Sequence, residues 1–126
     1  MDAVVDAMAA IDNDEAPDRE TLKNAVRELL KALAEKAPGH SVEVRVPPYG
    51  AVQCVEGPRH RRGTPPNVIE CRPLVFLALA TGRTTWDEAL AAGNVAASGQ
   101  RADLSDLLPI AAPTGEPLDG PREADD

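Results

Sequence analysis

The chain has 126 residues, enough for one domain and too few for several. Its hydrophobic content is 43% but its aromatic content only 2%, so any core is aliphatic. The net charge of −8 sits at the ends: residues 1–20 carry seven acids and one base, residues 111–126 five acids and one base, and residues 21–110 nine acids and eleven bases, a balance that argues against nucleic acid as a partner of the whole chain.

Met1–Ile11 spaces Val4, Val5, Met8 and Ile11 for one helical face. Asn13–Pro17 breaks it, and Asp18 is a good N-cap for a helix running to about Lys36. In that helix Leu22, Val26, Leu29 and Leu33 form a stripe widened by Ala25 and Leu30. Its polar face mixes both charge signs, which favours packing on a sheet over lying on a membrane. Pro38-Gly39 ends it.

Ser41–Val46 alternates valines with Glu43 and Arg45, a strand with one wet face. Pro47-Pro48-Tyr49-Gly50 is turn chemistry. Ala51–Glu56 and Asn67–Cys71 read as two more strands. Paired antiparallel with Cys54 opposite Ile69, they place Val52, Cys54, Ile69 and Cys71 on one apolar face, and a slip by one residue spoils it. This makes the two cysteines near neighbours and small buried hydrophobes.

Pro73 suits a first helical position. Leu74, Val75, Phe76, Leu77 and Leu79 are apolar nearly all round, which predicts a buried helix. Gly82 supplies its exit. Thr85 and Glu88 form a capping box for a second short helix that Gly93 closes. Asn94–Ser98 is a small-residue strand ended by Gly99, with Val95 and Ala97 on the sheet's apolar face. A last helix is predicted from Ala102 or Asp103, bearing Leu104, Leu107 and Leu108 and stopped by Pro109. The whole is an α/β (α+β) domain with a small, mainly antiparallel sheet of about four to five strands covered by helices. Residues 1–17 are expected to be a short helix and acidic linker, 18–110 the α/β domain, and 111–126 a disordered acidic tail.

The order of parts carries a resemblance. An ALATGR turn, a Trp-led short helix, AAG, a V-x-x-S-G strand and a D-L-x-x-L-L segment are similar to the C-terminal half of sterol-carrier-protein-type domains, the short bacterial members in particular. Weaker likeness runs back to Asp18 through SVEVRVPPYGAVQCVEG and PPNVIECRP. The resemblance implies an α/β layer whose helices and sheet enclose an apolar tunnel or pocket for lipids. That family has no invariant catalytic set, so no active-site residue is carried over.

Candidate pocket liners, assigned by face, are Val52, Cys54, Ile69, Phe76, Leu79, Trp86, Leu90 and Leu107. Arg59, His60, Arg61 and Arg62 in the Gly57–Pro66 loop are either an anion clamp for a lipid head group or a solvated hairpin loop. Cys54, His60, Cys71 and His40 match no zinc spacing, and no nucleophile elbow, metalloprotease or phosphate-loop motif occurs. The expectation is therefore a non-enzymatic protein without cofactor or metal, binding a lipid, fatty acid or sterol-like ligand. Two alternatives stay open: an interaction or regulatory module that keeps the fold without a tunnel, with a protein partner at the basic loop, and an accessory domain related to thiol-dependent maleylpyruvate isomerases.

A magnitude bounds the pocket. An empty cavity costs roughly 24 cal/mol per Å3, so about 300 Å3 costs about 7 kcal/mol. A whole domain is stable by about 5–15 kcal/mol. The pocket must therefore be small, wet at its mouth, or normally filled. The longest apolar run, Leu74–Ala80, is far below the roughly 20 residues of a transmembrane helix. The Met-Asp start shows no secretion signal, so a cytoplasmic protein with reduced thiols is expected.

Overall fold

The computed structural model describes residues 1–57 and 65–118. Helix α1, Asp2–Asp12, buries Val4, Ala7 and Met8, spaced three and one apart on a single stripe. Helix α2, Arg19–Lys36, starts where the Asp18 carboxylate accepts the Thr21 N–H at 2.8 Å. It buries Ala25, Val26, Leu29, Leu30 and Leu33 and lies between α1 and the sheet.

Four strands follow: β1 (Val42–Val46), β2 (Gly50–Cys54), β3 (Asn67–Cys71) and, after two short helices, β4 (Val95–Ser98). The sheet order is β2-β1-β3-β4. Strand β1 runs antiparallel to β2 and parallel to β3, and β3 runs antiparallel to β4. The register sets Val42, Val44, Val46, Cys54, Ile69, Cys71 and Val95 on the face under the helices, all buried. Glu43, Arg45, Gln53, Glu70, Ala96 and Ser98 form the other face, where Arg45 Nε donates to Glu43 Oε2 at 2.6 Å.

The expected pairing of β2 with β3 is corrected: β1 lies between them, and Cys54 faces Val42 rather than Ile69. Alternation fixes which side chains share a face, but not which strand is the neighbour. The short Pro47–Tyr49 connection commits β1 and β2 to each other. The one remaining edge of β1 then takes β3 in parallel. The two cysteines are consequently not neighbours. Cys54 is level with Val42, whereas Cys71 lies one residue beyond the Arg45–Glu70 pair, at the opposite end of the sheet and two strands away.

Helix α3, Pro73–Ala80, buries Phe76, Leu77, Leu79 and Ala80. It is not buried all round, since Leu74 in its first turn is 51% exposed. Gly82, at φ +78°, turns the chain into α4, Trp86–Ala91, which carries the full Thr85–Glu88 capping box. The predicted last helix is only a 3-10 turn, Ser105–Leu107. Pro109 bars a longer helix, because the residue before a proline is pushed out of the helical region, and Leu108 is extended there. Tertiary contacts hold the segment instead: Leu104 is buried, and Lys36 Nζ donates to the carbonyls of Leu107 at 2.9 Å and Pro109 at 3.4 Å.

The structureless tail expected from residue 111 is corrected over residues 111–118. Ala111 is buried and bridges to Pro117, and Gly115 sits against the Val4–Val5 backbone. The expectation for the rest of that tail, residues 119–126, lies outside the described residues. Arg83 closes this side of the molecule. Its guanidinium donates to both Asp12 carboxylate oxygens at 2.6 and 3.1 Å and to the Pro113 carbonyl at 2.7 Å. Among the described residues, no helix is long and apolar enough to cross a membrane.

Candidate ligand cleft

The apolar residues named from the sequence separate into four groups. Cys54, Ile69 and Phe76 are almost wholly removed from solvent and belong to the core between helices and sheet. Val52 on β2 is half-buried opposite Val44, and Leu107 in the 3-10 turn is half-buried as well. Leu90 points outward from α4 and is 40% exposed. Leu79 and Trp86 meet at a common opening.

That opening is a cleft of about 270 Å3 where the end of α3, the start of α4 and the 3-10 turn converge. Leu79, Trp86, Leu108 and Pro109 supply its apolar walls, and Gly82, Thr84, Thr85, Asp87 and Ser105 complete the lining. Trp86 is 4% exposed, so its indole is a fixed wall rather than a mobile flap. Local chemistry builds the site. The Thr85 hydroxyl accepts the Glu88 N–H at 3.1 Å, and the Thr85 N–H donates to Glu88 Oε1 at 3.1 Å, which locks the first turn of α4 and with it Trp86. The Asp103 carboxylate accepts the Ser105 N–H at 2.8 Å and starts the turn that carries Leu108 to the opposite wall. Backbone N–H groups hold the Glu88 and Asp103 carboxyls below the usual carboxylate range, the Thr85 N–H for the first and the Ser105 N–H for the second. Lys36 anchors the far wall through the Leu107 and Pro109 carbonyls.

Sequence reasoning missed Gly82, Thr84, Thr85, Asp87, Ser105, Leu108 and Pro109 as lining residues. Leu108 was legible as apolar, and Thr85 as a cap. What the sequence withheld is that the segment after Asp103 returns across α3 and α4 instead of forming a helix elsewhere. Arg59, His60, Arg61 and Arg62 lie outside the described residues.

The other openings differ in chemistry. A 510 Å3 furrow between α1 and α2 is lined by Asp2, Asp6, Thr21, Asn24, Arg27, Glu28 and Lys31, with Ala3 as its one apolar member. A 660 Å3 groove beside β4 mixes Glu70, Arg72 and Asn94 with Val75, Val95 and Cys71. Cys71 contributes no reactive thiolate there, because burial pushes its thiol up to about 12, with the Glu70 charge adding to the effect.

No curated protein matches the chain. The sequence profile described as "Bacterial SCP ortholog" matches residues 18–110. Those residues hold α2, the sheet, α3, α4 and every side chain of the cleft, and on that match the chain belongs to the bacterial SCP ortholog family, the bacterial branch of the sterol-carrier-type domains.

Proposed function

We propose that this is a small, non-catalytic cytoplasmic binding protein that takes an apolar or amphipathic ligand of the lipid kind in the cleft at Leu79, Trp86, Leu108 and Pro109. The carrying observation is the convergence of four apolar side chains from three separate segments on one opening inside the family-matched region. The cleft is open to water, which fits the limit set by the cost of a dry void. Its 270 Å3 lies at the small end for ligand pockets, so it holds a short chain or the tip of a longer one. Free Cys54 and Cys71 fit a reducing compartment.

Trp86 is the only tryptophan and reports on the site directly. Titrating neutral n-alkanols of increasing length against its emission is expected to give saturable changes. Each added methylene is worth about 0.8 kcal/mol, or roughly a four-fold tighter Kd, until the cleft is full and the series levels off. Leu108→Gln, which puts an amide in the half-buried wall, is expected to weaken the whole series. An emission that ignores every alkanol, or a response without length dependence, overturns the reading.

A second reading draws on the closed surroundings of Cys54, Ile69 and Phe76. A module that keeps the fold without a tunnel would meet a protein rather than a lipid. It predicts a Trp86 emission blind to alkanols.

A further inference from the structure

Among the described residues, the lining of the cleft contains no lysine, arginine or histidine. Asp87 lines it directly. Two further carboxylates are bonded to lining residues: Glu88 accepts from the Thr85 N–H and from the Thr84 hydroxyl at 3.2 Å, and Asp103 accepts from the Ser105 N–H. Two described cations are joined to the lining by sequence or by a hydrogen bond. Arg83, between Gly82 and Thr84 in the chain, gives its guanidinium to Asp12 and the Pro113 carbonyl. The Lys36 ammonium, bonded to the Leu107 and Pro109 carbonyls, keeps its charge behind the far wall, so one cation stands against the three carboxylates and the balance at the rim is negative. An apolar floor with an indole wall is thus rimmed by negative charge.

We infer that the cleft takes a ligand whose apolar body carries a positive charge, an alkyl or aryl ammonium, and discriminates against the corresponding carboxylate. This rests on the binding reading above and gives it a head group. Coulomb attraction to Asp87 and its neighbours favours the cation and opposes the anion. Trp86 adds a cation–π attraction that neither an alcohol nor a carboxylate receives. The hydroxyls of Thr84 and Ser105 accept hydrogen bonds from an ammonium at the rim. The fatty-acid form of the lipid expectation places its carboxylate against the wrong sign of charge.

The test uses the full chain and three probes of one length: hexylammonium, hexanol and hexanoate, titrated against Trp86 emission near pH 7, where both ionisable heads are charged. Hexylammonium is expected to bind about five-fold or more tightly than hexanol, and hexanoate more weakly than both. The preference should shrink at about 0.5 M salt. Asp87→Asn should bring the ammonium-to-alcohol ratio toward one. Asp6→Asn, in the separate furrow between α1 and α2, should leave that ratio intact and so controls for the acidity of the chain as a whole. Hexanoate binding as well as or better than hexylammonium overturns the inference and leaves the apolar cleft standing. So does a ratio unmoved by Asp87→Asn. No response to any of the three overturns the binding reading together with it.

Discussion

Cys54 and Cys71 are both free, and both lie under the helices with almost no exposure. Burial disfavours the thiolate and lifts the thiols from 9.0 to about 11 and about 12. Below 9.0 the folded and unfolded chains both keep these protons, so no stability is at stake. Above it the unfolded chain releases them first, and stability drains away until the folded thiols ionise. The expected outcome is that a thiol reagent near pH 8 leaves the native protein unmodified and modifies both cysteines once denaturant is added. Prompt modification of either cysteine in the native state would contradict their placement. The alternation of Val42, Val44 and Val46, and of Cys54 and Ile69 in their own strands, made the buried face readable. Whether Cys54 and Cys71 touch was not readable, because a face assignment carries no information about the strand in between.

Helix ends were the most legible elements, because a cap is a local hydrogen bond between residues three apart. Asp18 and Thr85 both cap as their neighbours dictate. Thr85→Ala removes the acceptor for the Glu88 N–H and is expected to lower stability by about 1 kcal/mol, read as a lower urea midpoint. It should also loosen Trp86 and broaden its emission. The carboxyls of Asp18, Glu88 and Asp103, each accepting a backbone N–H, all sit below their ordinary values of 3.8, 4.5 and 3.8. Their contribution is therefore present above that range and fades as the pH falls through it. The least legible element was the segment from Asp103 to Pro109. Leu104, Leu107 and Leu108 have helical spacing, but their burial is set by Lys36 on α2 and by the α3–α4 turn, neither of which is near in sequence. The cleft was half-legible for the same reason. Leu79 and Trp86 announced themselves as apolar, while the opposite wall depended on a path that only tertiary contacts choose.

The molecule as a whole is held together by its flanks as well as by the family-matched region. Helix α1 and residues 111–118 lie outside residues 18–110, yet Val4, Ala7, Met8 and Ala111 are fully buried. The two flanks meet each other. At Gly115 the φ of +94° favours glycine, and an added Cβ would fall 2.8 Å from the Val4 carbonyl carbon and the Val5 nitrogen. Those neighbours are helix backbone and cannot yield, so a methyl there must lift the turn off α1 or push α1 off α2. Gly93 is the internal control: its φ is +75°, but nothing lies within 4 Å of its added Cβ. Gly93→Ala bears the conformational penalty alone, whereas Gly115→Ala bears it together with a backbone collision. Left-handed strain at a non-glycine residue is about 1–3 kcal/mol. Gly115→Ala is therefore expected to exceed Gly93→Ala in lost stability, and to lose hydrogen-exchange protection at the Val4–Met8 amides while α2 keeps its own. Arg83→Lys tests the same joint from the other side. A lysine cannot bond both Asp12 oxygens and the Pro113 carbonyl in one fork, so the same amides should open. Equal losses at the two glycines, with α1 still protected, would show that the C-terminal turn does not hold the first helix in place.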